Sequence, residues 1–83
     1  MTKLEEKLLQ LGYKKNCPAE WVFIKRINDI NISICLCKSF KKIETYWVSK
    51  VPIIIEIQQD IDNLQLAFNE LQKDLEILKE CEE

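Results

Sequence analysis

Ile57, Ile61, Leu64, Phe68, Leu71, Leu75 and Leu78 recur at alternating steps of four and three residues. That spacing is the a/d seam of an α-helix, a single apolar stripe along its length. No Gly or Pro follows Pro52, and Gln, Glu, Leu and Lys, which favour helix, fill about half of the intervening positions. With Ile61 at position a, Ala67 falls at g and is small enough to permit close approach. Asp74 at g and Lys79 at e form a pair that a parallel dimer could use. Leu66 and Ile77 lie off the seam and widen the apolar face.

Such a seam has two possible burials: against a sheet of the same chain, or against another helix. Residues 58–82 as helix span roughly 37 Å, whereas a strand of eight residues covers about 26 Å. A turn or two is therefore expected to overhang, with its leucines in need of a partner. Leu71, Leu75 and Leu78 are the candidate residues for self-association or partner binding, and a homodimer or a docking helix is the expected use.

The rest of the chain reads as one short helix and a run of strands. Thr2 and Glu5 form a capping-box pattern ahead of Leu4, Leu8 and Leu11, which predicts a helix over Lys3–Leu11 ended by Gly12. Tyr13–Glu20 reads as a loop. Trp21–Ile27 is β-branched and aromatic, Asn28-Asp29 signals a turn, and Ile32, Ile34 and Leu36 then alternate with smaller or polar residues. Ile43, Thr45 and Trp47 alternate likewise within Lys42–Ser49, and Val51–Glu56 is a further edge-strand candidate because Pro52 lacks an N–H. The expected fold is α+β: a short N-terminal helix, a three- to four-stranded antiparallel meander and a long C-terminal helix packed on the sheet. The chain of 83 residues is expected to be a single domain over residues 1–83.

Composition excludes much chemistry. One glycine cannot build a dinucleotide or phosphate-cradling loop, and the absence of histidine removes Ser-His-Asp and Cys-His catalysis. Cys17, Cys35, Cys37 and Cys81 match neither a zinc knuckle nor a disulfide framework, and they are expected to be reduced structural thiols. Cys35 and Cys37, two apart in a strand, should share a sheet face, and Cys81 should be the most exposed. The carboxylates of the last helix read as a solvated face. No catalysis, cofactor, metal or small-molecule substrate is expected.

Met1–Gln10 is charged and carries no apolar signal region, and the longest apolar runs are too short to span a bilayer. A cytoplasmic protein without a membrane partner follows as the expectation, and Asn31-Ile32-Ser33 then has no meaning as a glycosylation acceptor. The net charge of −2 is divided unevenly, with +4 over residues 1–57 and −6 over residues 58–83.

Two binding functions remain. Basic residues interleave with Tyr13, Trp21, Phe23, Phe40, Tyr46 and Trp47 in the strand region, a combination that can stack bases and follow phosphates. Lys25, Arg26, Lys41 and Lys42 are the candidate contacts for that nucleic-acid alternative. The favoured reading is a module that binds another protein through the C-terminal helix or by strand addition along an edge. Leu8–Tyr13 with Trp21, and Asp60–Leu78, resemble small proteins of phages and prophages in low-GC Gram-positive bacteria. The resemblance implies a non-catalytic accessory protein that binds or inhibits host machinery, host defence included, in the host cytoplasm.

Overall fold

The computed structural model describes residues 2–16, 19–39, 41–50 and 57–82. In chain order these form α1 (Lys3–Gln10), β1 (Lys14–Asn16), β2 (Ala19–Ile27), β3 (Ile30–Leu36), β4 (Ile43–Lys50) and α2 (Ile57–Lys79). The strands make one antiparallel sheet in the order β1-β2-β3-β4, each paired with its neighbour in the chain. The architecture is the expected α+β one, with α2 packed on the sheet.

The helix signals in the N-terminal segment act as their chemistry dictates. Thr2 Oγ1 accepts the Glu5 backbone N–H at 3.2 Å and caps α1. Gly12 has φ +99° and ends the helix. Its N–H donates to the Leu9 carbonyl and that of Tyr13 to the Leu8 carbonyl, the paired bonds of a Schellman motif.

The fourth strand of the described sheet is β1, within the stretch read as a loop, while the edge-strand candidate Val51–Glu56 lies outside the described residues. Lys-Lys-Asn has no apolar alternation to announce a strand. Backbone pairing with β2 holds it, with a register shift between Lys15 and Asn16. Its Lys15 also pairs with the buried Glu5 carboxylate of α1. At the Asn28-Asp29 turn, Asn28 adopts φ +53°, a conformation that Asn tolerates better than most residues, and Ile27 pairs directly with Ile30.

One face of the sheet is the core face. Phe23, Ile30, Ile32, Ile34 and Leu36 are buried there with Tyr13, with Leu4 and Leu8 of α1, and with Ala67, Leu71 and Leu78 of α2. The helix uses only part of its expected seam. Ile61 and Phe68 are 54% and 49% exposed, while Ala67 and Asp74 are buried. The helix has rolled about its axis, so that positions 64, 71 and 78 stay inside while 67 and 74 replace 68 and 75 at the centre. Leu78 is fully buried and α1 packs against α2, so the distal leucines do not overhang into solvent.

The cause of the roll is a buried polar cluster. Asp74, 3% exposed, accepts from the Tyr13 hydroxyl at 2.8 Å and from Lys25 Nζ at 3.0 Å. Lys25 also donates to Glu70 at 3.2 Å and lies 5.3 Å from the Tyr13 ring centre. Burial, then the hydrogen bond to Asp74 and the charges of Asp74 and Glu70, pushes the Tyr13 hydroxyl well above the usual tyrosine range. Asp74 is therefore not free for a g/e pair across a parallel dimer. Lys50 makes a second sheet-to-helix ion pair, with Asp60 near the start of α2.

A buried pair deprived of one member loses far more than a pair replaced whole by apolar groups. Asp74→Ala is expected to cost about 3 kcal/mol of unfolding free energy in urea, and Tyr13→Phe about 2 kcal/mol. The Lys25→Met/Asp74→Leu double variant should be more stable than Asp74→Ala alone, which the same titration measures.

Candidate protein-interaction surface

The alternation that sends Phe23, Ile32 and Ile34 into the core sends an equal set of side chains the other way. Strand register assembles them into rows. Lys14, Ile24, Ser33 and Trp47 form a row across all four strands. Val22, Cys35 and Thr45 lie to one side of it, and Arg26, Asn31 and Ser49 to the other. Among the described residues, no helix or strand packs on this face.

The surface has an apolar centre and a basic rim. Val22 and Ile24 are partly exposed and Trp47 is 49% exposed. Ser33, between Ile24 and Trp47, is fully buried, and its Oγ has no hydrogen-bond partner among the described residues. An open hollow of about 480 Å³ borders Ile24, lined also by Gly12, Lys14, Asn16, Arg26 and Asn31. Arg26 is held in place there by its bonds to the Asn28 carbonyl and to Asp29. Such a face suits a protein segment carrying an apolar side chain with a carboxylate beside it.

The residues singled out from sequence are distributed differently. Leu71 and Leu78 belong to the chain's own core and Leu75 packs half-buried against it, so this trio does not form an external face. Lys25 and Arg26 point to opposite faces: Lys25 is engaged by Glu70 and Asp74 under α2, while Arg26 lies on the open face. Lys41 and Lys42 are exposed in the connection between β3 and β4, beyond the other end of the strands. The four basic side chains are not gathered on one surface. The open face went unrecognised in the sequence, although one signal was present: in Trp21–Ile27, apolar residues occupy both alternating sets rather than one.

The cysteines divide in an unexpected way. Cys17 lies outside the described residues; Cys35, Cys37 and Cys81 are free thiols. β3 ends at Leu36 after a register shift, so Cys37 leaves the strand instead of sharing a face with Cys35. Cys81, expected to be the exposed one, packs against the core. Cys37 Sγ lies 3.0 Å from Ser39 Oγ. Hydrogen bonds from the Ser39 hydroxyl, then from the backbone at Lys41 and Lys42, bring its pKa down to about 7. Among the described residues, no group of three or more His, Cys, Asp or Glu could hold a metal ion, and no helix is long and apolar enough to cross a membrane.

No protein-family model, curated protein or solved structure matches the chain.

A lowered thiol pKa has a direct readout in alkylation. As pH rises through about 7, Cys37 should convert to thiolate and its rate of reaction with iodoacetamide should climb to a plateau. Ser39→Ala should move the midpoint upward, toward that of an ordinary cysteine. Mass-spectrometric peptide mapping across a pH series follows Cys37 separately from the other thiols.

Proposed function

We propose that this chain is a non-catalytic protein-binding module, working in a host cytoplasm as a phage or prophage accessory protein that binds or inhibits host machinery. The observation that supports it most is the open sheet face, where Val22, Ile24 and Trp47 remain accessible beside Lys14 and Arg26. Exposed apolar area of this kind on a small domain, rimmed by charge, is what a protein partner covers. The rigid four-stranded ladder beneath fixes the side chains before contact, so little ordering accompanies binding. The partner's matching surface is apolar with carboxylates at its border.

The acidic character of residues 58–83 supports this direction over nucleic acid, since α2 carries its carboxylates on the same small body as the basic rim. Lys25 is also already committed to two carboxylates.

Ile24→Lys places a charge at the centre of the open face without touching the buried cluster. The tagged variant should melt like the parent chain yet lose the host protein that the parent retains from lysate. Retention should survive nuclease treatment. A captured protein bound equally well by Ile24→Lys would remove the open face as the binding surface, and capture abolished by nuclease would return the basic residues to consideration.

A further inference from the structure

β4 is a border of the sheet. Among the described residues no strand lies beyond it, and none of them pairs with the outer row of its backbone N–H and C=O groups. The opposite border, β1, is three polar residues long, the usual defence against edge pairing. β4 has no such defence over its centre: it is eight residues long, and Tyr46 and Trp47 are both exposed. Beside it, α2 turns Ile61 and Phe68 outward. Tyr46 and Leu75 line a common hollow with Gln72, Glu76 and Lys79, which puts that flank of the helix on the β4 side.

We infer that a second copy of the chain completes this border, β4 pairing antiparallel with β4 about a two-fold axis. The two sheets become one of eight strands, and the outward flanks of the two α2 helices meet above the new seam. An isologous contact must be self-complementary, and β4 has that property in one register. To keep both helices on the same side of the joined sheet, a residue must sit opposite its own copy. With Trp47 in that place, Glu44, at the register shift where the regular ladder begins, falls beside Lys50 of the second copy, with Thr45 opposite Ser49 and Tyr46 opposite Val48. These are an opposite-charge pair, a hydroxyl pair and an aromatic–β-branched pair, each occurring twice, about a central aromatic pair. No other register sets Glu44 against Lys50. Lys50 also holds Asp60, and an ammonium with three donors serves both carboxylates.

The helix geometry agrees with the strand register. α2 packs over β3 and to a lesser extent over β4, so its axis stands between about 5 and 7 Å from the two-fold axis. Two such axes lie between about 10 and 14 Å apart, from the separation of packed helices to somewhat more. Ile61 and Phe68 fill the gap. An extended peptide from another protein would satisfy the strand's backbone but would leave both of these side chains in water. The contact shares Trp47 with the open face but leaves Ile24 two strands away, so Ile24→Lys tests partner binding on that face separately from the dimer.

Sedimentation equilibrium of the full chain is expected to give twice the chain mass. Phe68→Glu and Glu44→Lys, both at exposed positions, should each weaken the dimer by roughly tenfold or more while the far-UV circular dichroism stays unchanged. Amide exchange within β4 should slow as protein concentration rises in the parent chain and not in the variants. A monomer at every accessible concentration would overturn the proposal. So would a dimer indifferent to both substitutions, or one broken only by Ile24→Lys, since that would place the contact on the open face.

Discussion

The pairing of Asp74 with Lys25 and Tyr13 decides how the long helix lies, and much of the surface follows from that. A carboxylate this deeply buried is tolerated only with its hydrogen bonds filled. Filling them requires α2 to present positions 60, 67 and 74 toward the sheet. Ala67 makes the rotation possible by letting the helix backbone come close to the strands. The outward flank of Ile61 and Phe68 is the other side of the same rotation: a helix turned to bring Asp74 inside must turn those two out.

This rotation also marks the limit of what the sequence revealed. The stripes 61-64-68-71-75-78 and 60-64-67-71-74-78 share every second member, and both alternate steps of three and four. Hydrophobicity selects the first, and the structure uses the second, because Lys25 and Lys50 sit on the sheet where only tertiary contact can bring them to Asp74 and Asp60. The existence and length of α2 were legible because a long run of helix formers carries its own evidence. β2, β3 and β4 were legible from alternation. β1 was invisible, since backbone pairing alone defines it, and backbone groups are the same in every sequence. The open face was hidden for a related reason: alternation tells which residues share a face and says nothing of whether a second layer covers it.

The molecule is consequently lopsided in both packing and charge. Its two helices lie on one side of the sheet and take up the leucines, while the other side keeps isoleucine, valine and tryptophan near water. The acidic helix and the basic rim occupy opposite sides of a sheet one layer thick. Ser33 records this asymmetry at atomic scale: a hydroxyl shut between Ile24 and Trp47 without a hydrogen-bond partner among the described residues, in a row that crosses the whole sheet.

Chain order gives the layering a consequence in time. Every strand pairs with its sequence neighbour, so the sheet can form from local hairpins with little loop-closure entropy. The helix that covers it comes afterwards, and Asp74 lies 49 residues beyond Lys25. During synthesis the meander therefore emerges with only the short α1 beside its core face, and Phe23, Ile32 and Ile34 wait for α2 to leave the ribosome. The nascent sheet passes through a sticky interval that ends only when the helix docks, which makes the yield of folded chain sensitive to the speed of that last step.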